Sequence, residues 1–253
     1  MTESRFKNKT ILVTGAGTGI GRAAALHLAK EGAQLALIGR RLEPLQELAR
    51  EIKKIGGSAI ALSCDITNTK SLSIGLNQII DLFGDLHGLF ANAGILGEFK
   101  PLLETDLEDF DSLIDINLKG TFLTIKHCLP LLETGAIVIN ASWTAQSVMP
   151  GTGAYAATKG ALLSMMKTLA VEQGQRGIRV NAISPGIILT PMADKALDAE
   201  VSRKLADHAA LKRNGVPEDI SGTVAWLLSE DSAFVTGQEI TIDGGYTIGG
   251  IRL

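Results

Sequence analysis

Tyr155 and Lys159 are the residues whose types and spacing point most directly to chemistry, since they lie four positions apart in Tyr155-Ala-Ala-Thr-Lys159. In a helix, this spacing places both side chains on one face. A phenol with its ordinary pKa of about 10 is a poor acid or base near neutrality. An ammonium about 4 Å away favours the phenolate by roughly 4 kcal/mol at a dielectric constant near 20, about three pKa units, with desolvation opposing it. The pair therefore predicts proton transfer at Tyr155.

A glycine-rich turn at residues 14–21, Thr-Gly-Ala-Gly-Thr-Gly-Ile-Gly, lies between an apolar run and a helical pattern. Glycines allow a pyrophosphate to approach the backbone, and the free N–H groups and dipole of the following helix favour its charge. Ile20 occupies the last glycine position of the strict GxGxxG fingerprint, so the glycines instead read GxxxGxG. Its place after the first strand predicts a dinucleotide site, with a plain tight turn as the alternative.

The end of the second predicted strand bears on which dinucleotide binds. Proteins that bind NAD place an Asp or Glu there, to bond the ribose hydroxyls. Here Gly39 holds that position, and Arg40 and Arg41 follow it. A guanidinium grips a 2′-phosphate that a carboxylate would repel, so the sequence favours NADP(H), with NAD(H) as the second choice. In the alternative interpretation, both arginines are solvated residues that pair with Glu43 or Glu47.

Short apolar runs alternate with helical patterns over nearly the whole chain. The runs that resemble strands are residues 11–13, 35–38, 59–62, 88–91, 136–140, 179–184 and 238–242. They are apolar on both faces, as in a parallel sheet covered by helices, and apolar stripes at helical spacing occupy residues 42–55 and 72–83. This pattern predicts an α/β fold, a single-domain Rossmann-type doubly wound parallel sheet of about seven strands with helices on both faces.

Neither a proline-rich linker nor a repeat divides the sequence, so we expect one dinucleotide-binding and catalytic domain over residues 1–253. Residues from about 187 to 215 contain a polar helical stretch without a matching strand. Loops of that length are often lids, so we expect this segment to cover the substrate.

The composition narrows the function classes. The chain has 253 residues, 45% of them hydrophobic, and 24 Lys and Arg against 27 Asp and Glu give a net charge of −3. Nucleic-acid binders and binders of anionic membranes need clustered basic residues, so this balance argues against both classes. The longest uncharged stretch, residues 134–158, is broken by polar residues, Gly and Pro, and does not fit a membrane span.

The cysteines and the N-terminus predict the compartment. Cys64 and Cys128 both have apolar neighbours and read as buried core residues in a reducing compartment. The cysteine and histidine spacings do not match a metal site. The N-terminal residues run into the first strand without the apolar region of a signal peptide, so we expect a cytoplasmic protein.

Four groups of residues together resemble the classical short-chain dehydrogenase/reductase pattern. They are residues 14–21, Asn92-Ala93-Gly94, Ser142, and Tyr155 with Lys159. The resemblance covers essentially the whole chain and is closest to the 3-oxoacyl-[acyl-carrier-protein] reductases. The other positions that fall in the family's order are Asp65, Asn117, Pro185-Gly186, Thr190 and Asp243-Gly244-Gly245.

The resemblance implies a catalytic set of Asn117, Ser142, Tyr155 and Lys159. Tyr155 would exchange a proton with the substrate oxygen, which Ser142 would orient. Lys159 would bond the nicotinamide ribose, and Asn117 would hold a water that relays protons to Lys159. Asn117 as a packing residue remains an alternative, as do Ser142 as a strand end and Tyr155 as a core aromatic.

The resemblance also implies the cofactor-binding residues. Asp65 would bond the adenine, Asn92 would fix the fourth strand, and Thr190 would meet the carboxamide. The alternatives are a turn with Thr67 for Asp65 and a helix cap beside Pro191 for Thr190. The full set is Gly15, Thr18, Gly19, Ile20, Arg40, Arg41, Asp65, Ile66, Asn92, Ala93, Gly94, Tyr155, Lys159, Pro185, Gly186, Ile188 and Thr190.

The expected function is hydride transfer between NADP(H) and a ketone or secondary alcohol, with Tyr155 as general acid and base. The alternatives are an NAD(H)-dependent alcohol, sugar or steroid dehydrogenase of the same family, and a non-catalytic dinucleotide sensor. The carrier-protein reductases that the chain resembles usually carry basic residues between the long helix and the fifth strand, where an acidic carrier protein would dock. Here residues 132–135 read Leu-Glu-Thr-Gly, which favours a small-molecule substrate. The expected apolar pocket residues are Ile95, Leu96, Trp143, Val148, Met149, Ile188, Leu189 and Met192.

The expected assembly comes from the resemblance alone. Family members commonly form homotetramers through the two helices that hold Asn117 and Tyr155 and through the C-terminal strand region. The apolar tail, residues 246–253, fits an end that packs on a neighbouring subunit, or one that covers the chain's own lid.

Overall fold

A single parallel sheet organises the protein, and the computed structural model describes residues 4–194 and 196–248. Its seven strands lie in the order β3-β2-β1-β4-β5-β6-β7, which confirms the predicted architecture. Their bounds are β1 Thr10–Thr14, β2 Gln34–Gly39, β3 Ser58–Ser63, β4 Leu86–Ala91, β5 Leu132–Asn140, β6 Ile178–Pro185 and β7 Glu239–Ile242. The strand order reverses between β1 and β4, and ligands of such sheets bind beyond the carboxyl ends of the strands at that point.

Helices cover both faces of this sheet. They are α1 Gly19–Lys30, α2 Leu42–Lys54, α3 Thr69–Phe83, α4 Leu107–Leu113, α5 Thr121–Cys128, α6 Gly153–Gln173, α7 Ala199–His208 and α8 Pro217–Leu228. Helices α1, α2 and α8 share one buried cluster with Val13, whereas α3, α5 and α6 share the other with Leu12. Successive strand residues therefore face opposite layers, which explains why the strands are apolar throughout.

The predicted stripe on α2 is buried in its middle and exposed at its ends. Leu45, Leu48 and Ile52 are fully buried, whereas Leu42 is 39% and Ile55 48% exposed. Leu42 is the first residue of α2, and Ile55 follows its last residue. Only the central turns of the helix therefore cover the sheet.

The segment over residues 187–215 forms a loop whose two ends are joined. The Leu189 N–H donates to the Gly215 carbonyl at 2.9 Å, and the Gly215 N–H donates to the Ile187 carbonyl at 2.8 Å. Helix α7 lies inside this loop, and none of its residues is fully buried. The loop therefore leaves and rejoins the core at one place.

The cysteines lie in the core as expected: Cys64 is only 2% exposed, Cys128 is fully buried, and both are free thiols. Within the described ranges, no group of His, Cys, Asp and Glu is arranged to hold a metal ion. No helix of the described part of the chain is long and apolar enough to cross a membrane. The end of the expected C-terminal packing segment, residues 249–253, lies outside the described residues.

Strand β5 is longer than the sequence predicts because it begins before a shift in register. Leu132 pairs with Leu86, but Ala136 pairs with Gly88, so β5 uses two more residues than β4 over the same interval. Gly135 absorbs the difference, with φ of 132°. A Cβ on Gly135 would lie 2.1 Å from the His87 carbonyl oxygen. The register of β5 up to Asn140 therefore depends on this glycine.

We expect Gly135→Ala to lower the free energy of unfolding by about 3 kcal/mol, because the backbone conformation and the His87 carbonyl both exclude a side chain. Denaturant unfolding measures the change. Gly174→Ala is the matched control, since Gly174 follows α6 with φ of −56°. Nothing lies within 4 Å of a Cβ there. Equal effects of the two substitutions would contradict this account of the register.

Candidate active site

A cleft of about 840 Å³ opens at the carboxyl ends of the strands, between the glycine-rich turn and the loop over residues 187–215. Every residue of the predicted cofactor set lines it. Ser142, Tyr155 and Lys159 line the same cleft, whereas Asn117 lies fully buried behind its wall. The fold therefore brings the sequence-predicted residues to one place.

The glycine-rich turn is shaped by close backbone contacts. Gly15 and Gly19 have φ of 64° and 55°. A Cβ on Gly21 would lie 2.4 Å from the Gly15 carbonyl oxygen, and one on Gly19 would lie 3.2 Å from the Thr190 side chain. No acidic residue lies in the first turn of α1, and the Thr18 side chain does not cap its N–H groups. The turn therefore has the free N–H groups and the close backbone approach that an anionic pyrophosphate would use.

The arginines after β2 are exposed and line one end of the cleft. Among the ion pairs of the described residues, neither Arg40 nor Arg41 pairs with Glu43 or Glu47. The alternative in which they do so is therefore not what the structure contains. Two guanidinium groups at this end fit a phosphate group bound there.

Asp65 lines the same end and also makes the local turn that the sequence left open. Its Oδ1 accepts hydrogen bonds from the Thr67 N–H at 2.9 Å and the Thr67 hydroxyl at 2.8 Å. Thr190 is similarly engaged, since its hydroxyl accepts from the Ala193 N–H at 3.3 Å. Both side chains therefore have a structural role while they line the cleft.

A network of amides joins the glycine-rich turn to the end of β5. The Asn92 Nδ2 donates to the Thr14 carbonyl at 2.9 Å, which turns its Oδ1 towards Asn140. The Asn140 Nδ2 donates to that oxygen at 2.8 Å. The Thr14 hydroxyl accepts from the N–H groups of Asn92 and Ala93. The Asn140 Oδ1 is buried and has no hydrogen-bond partner within the described part of the chain.

Asn140 and the Thr14 hydroxyl were not among the predicted site residues. Each is a polar side chain at the last position of a strand, β5 or β1, directly after an apolar run, residues 136–139 or 11–13. Because the carboxyl ends of parallel strands meet at one edge, this position was the signal that could have indicated them.

Ser142 follows β5 and is 6% exposed. Its oxygen accepts hydrogen bonds from the N–H of Thr144 at 3.2 Å and from the hydroxyl of Thr144 at 2.9 Å. These bonds cap the short turn Trp143–Ala145 and fix the serine side chain. A further hydrogen bond links Ser142 to Tyr155 and acts to lower the pKa of the phenol.

Tyr155 and Lys159 share one face of α6, as their spacing predicts. The Lys159 Nζ lies 5.5 Å from the centre of the Tyr155 ring. It donates to the Asn140 carbonyl oxygen at 2.8 Å, and Lys159 is only 4% exposed. The helix and the strand β5 are therefore joined by a buried ammonium.

Burial governs the titration of both groups. It raises the pKa of Tyr155 to about 12, despite the hydrogen bond with Ser142, and it lowers the pKa of Lys159 to about 8. The expectation that Lys159 brings the Tyr155 pKa near neutrality is therefore wrong for this structure. Burial disfavours the phenolate more than the hydrogen bond with Ser142 favours it. Tyr155 carries its proton at neutral pH.

Asn117 lies in a π-helical segment, Ile114–Gly120, between α4 and α5. Its Oδ1 accepts from the Ile95 N–H at 2.8 Å, and its Nδ2 donates to the Ile95 carbonyl at 2.9 Å and to Thr158 at 3.3 Å. A Cβ on Gly94 would lie 2.9 Å from this Oδ1 and 3.6 Å from the Lys159 Nζ. Asn117 therefore holds the segment after β4 against α6. Irregular π-helical turns of this kind are frequent at functional sites.

The chain resembles known proteins over nearly its whole length. The family model described as Enoyl-(Acyl carrier protein) reductase matches residues 15–247. Cyclohexanol dehydrogenase of Acinetobacter sp. (strain SE19) is 35% identical over 247 residues, covering 96% of this chain and 97% of that protein. A crystal structure of levodione reductase aligns with a TM-score of 0.92 and 32% identity, over 95% of this chain and 98% of that one. A structure of NAD+-bound xylitol dehydrogenase aligns with a TM-score of 0.89 and 32% identity, over 95% and 99%.

The buried ammonium predicts a pH-dependent stability. Folding lowers the Lys159 pKa from 10.5 to about 8, so unfolding takes up a proton between these values and stability rises with pH across that range. Relative to Lys159→Met, we expect the wild-type chain to gain about 2 kcal/mol of unfolding free energy from pH 7 to 9.5. Denaturant unfolding at both pH values measures this difference.

Lys167→Met is the control, because Lys167 is exposed on the same helix. Its difference from the wild-type chain should stay constant from pH 7 to 9.5. A constant difference for Lys159→Met as well would contradict the burial of a titrating ammonium.

Proposed function

The chain belongs to the classical short-chain dehydrogenase/reductase family of oxidoreductases, which act on alcohols and ketones with nicotinamide dinucleotides, and on that premise we propose its reaction. The protein interconverts a ketone and a secondary alcohol with NADP(H), and Tyr155 is the group that donates and accepts the proton. The observation that carries this proposal is that Ser142, Tyr155 and Lys159 line the same cleft as the glycine-rich turn.

Tyr155 acts as the acid in the direction of reduction. Its pKa of about 12 keeps the phenol protonated, so the proton is available to a carbonyl oxygen that gains electron density. The O–H bond of Tyr155 breaks as the O–H bond of the alcohol forms. Ser142, fixed by Thr144, donates to the same carbonyl oxygen and orients it. The residues that line the cofactor end of the cleft would hold NADP(H), which would supply or accept the hydride when bound.

Lys159 returns the proton and stabilises the phenolate that reduction leaves behind. A buried ammonium with a pKa of about 8 can release and recover a proton near neutrality. It would also bond the nicotinamide ribose. Asn117 would hold a water that connects Lys159 to solvent, and its position in the π-helical segment next to Ile95 and Thr158 supports this role.

The preference for NADP(H) rests on Arg40 and Arg41. Gly39 supplies no carboxylate to the ribose. Both guanidinium groups are exposed at the cleft, and neither takes part in an ion pair with another described residue. The other residues of the predicted cofactor set line the same cleft and would bind the rest of the dinucleotide. NAD(H) is the second candidate, favoured by the likeness to the structure of NAD+-bound xylitol dehydrogenase.

The substrate half of the cleft supports an uncharged, mainly apolar carbonyl compound. Its apolar lining residues are Ile95, Leu96, Phe99, Trp143, Met149, Met192 and Leu197. Besides Lys159, Asp115 is a charged residue of the lining, and Lys119 pairs with it. Two expected pocket residues, Val148 and Leu189, are not among the residues that line the cleft. They are 88% and 43% exposed. Residues 187–215 would serve as the lid.

The proposal extends to assembly and location. Phe122 on α5 and Val171 on α6 are 47% and 82% exposed, and Phe234 beside β7 is fully exposed. Apolar residues at these places support a homotetramer that buries both helices and the last strand. The free, buried thiols of Cys64 and Cys128 support a reducing compartment, the cytoplasm.

We expect Tyr155→Phe to lower kcat for ketone reduction by ~10³-fold or more while NADPH still binds, because the variant keeps the ring and loses the proton. Turnover is followed by NADPH absorbance and binding by NADPH fluorescence. Thr168→Val removes an exposed hydroxyl from the same helix and should retain wild-type turnover. Turnover that survives in Tyr155→Phe would refute the assigned proton donor.

We expect Arg40→Ala to lower kcat/KM for NADPH by about 10- to 100-fold, the cost of one charge-assisted phosphate contact, and to leave kcat/KM for NADH nearly unchanged. Steady-state kinetics with both cofactors measures the ratio. Arg50→Ala, which removes an exposed arginine of α2, serves as the control. A preference for NADH in the wild-type chain and in both variants would disprove the role of the arginines.

A further inference from the structure

Three aromatic rings form a contact that runs from the cleft to the end of α7. The rings of Trp143 and Tyr246 lie 4.9 Å apart between centres, at an angle of 61°. The rings of His208 and Tyr246 lie 4.8 Å apart, at 66°. Both arrangements are the edge-to-face geometry that aromatic rings prefer. Tyr246 therefore contacts both other rings.

Trp143 is the member of this group that faces the cleft. It follows Ser142 directly, is 5% exposed and belongs to the cleft lining, whereas Tyr246 and His208 do not line the cleft. The indole therefore lines the cleft and also contacts Tyr246. A substrate beside Ser142 would lie near a ring that Tyr246 contacts.

The C-terminal turn that carries Tyr246 also holds the end of α7. The Leu211 N–H donates to the Gly244 carbonyl at 3.0 Å. A Cβ on Gly245 would lie 2.7 Å from the Ala210 Cβ, so the two backbones are in close contact. The Asp243 carboxylate accepts from the N–H groups of Gly245 and Thr247, both at 2.8 Å, which fixes the shape of the turn.

Helix α7 has few other anchors. None of its residues is fully buried. The Asn214 Nδ2 donates to the carbonyl and hydroxyl of Ser202, which are on α7, but Asn214 belongs to the same loop. Within residues 4–194 and 196–248, the rings and the C-terminal turn tie the end of α7 to the wall of the cleft.

We propose that Tyr246 and His208 are positioning residues that couple α7 to Trp143, and that the Trp143 ring thereby limits the size of the ketone that the cleft accepts. This inference rests on the proposed function. With α7 in place, Tyr246 supports the indole and the pocket admits a compact ketone. When the support is lost, the indole can retreat and bulkier ketones gain access to Ser142.

The first test uses His208, which is exposed and does not line the cleft. We expect His208→Ala to shift the ratio of kcat/KM for a two-ring ketone over a one-ring ketone by about 3- to 10-fold, as expected for the loss of one edge-to-face contact, mainly through KM. His208→Phe keeps a ring at this position and should restore the wild-type ratio. A loss that is equal for both ketones would overturn the proposal, because it would indicate a general structural effect.

The second test needs no substrate. The chain has two tryptophans, so Trp226→Phe leaves Trp143 as the fluorescent reporter. In that background, we expect His208→Ala to change the emission wavelength or acrylamide quenching of Trp143, and His208→Phe to preserve both. Unchanged emission and quenching in His208→Ala would overturn the coupling. Absence of turnover on every ketone, with the fluorescence change present, would refute the proposed function but leave the coupling intact.

Discussion

The hydrogen bond from the Lys159 ammonium to the Asn140 carbonyl is the interaction on which the rest of the site depends. It joins helix α6, which carries Tyr155, to strand β5, which leads to Ser142. A buried ammonium is costly, and the lowered pKa of Lys159 expresses that cost. The same hydrogen bond holds the Lys159 ammonium 5.5 Å from the centre of the Tyr155 ring. It therefore fixes the position of Lys159 relative to Tyr155.

The amide network extends this arrangement to the glycine-rich turn. Thr14, Asn92 and Asn140 lie at or just beyond the ends of β1, β4 and β5, which are neighbours in the sheet. The orientation of both side-chain amides is fixed, because the Thr14 carbonyl can only accept a hydrogen bond. Asn92 therefore presents its Nδ2 to Thr14 and its Oδ1 to the Nδ2 of Asn140. The turn and the buried ammonium are therefore linked through consecutive hydrogen bonds, and the strand register set at Gly135 determines whether they meet.

Much of the fold could be predicted from the sequence, because seven apolar runs and the helical stripes between them allow few arrangements. The positions of Ser142, Tyr155 and Lys159 followed from spacing and resemblance. The pKa of Tyr155 did not, since pairing with Lys159 is visible in the sequence while the degree of burial is not. The Tyr246 contact with Trp143 was missed for a related reason. It joins residues about a hundred positions apart that no local pattern connects.

The loop over residues 187–215 joins the rest of the chain at a single place, and this limits what a change in its length would cost. Its two ends are hydrogen-bonded to each other at Ile187, Leu189 and Gly215, so both ends meet the core at the same place. Replacing the loop with one of another length costs little closure entropy, because the ends already meet. The length of the loop can therefore change without any change to the strands beneath it.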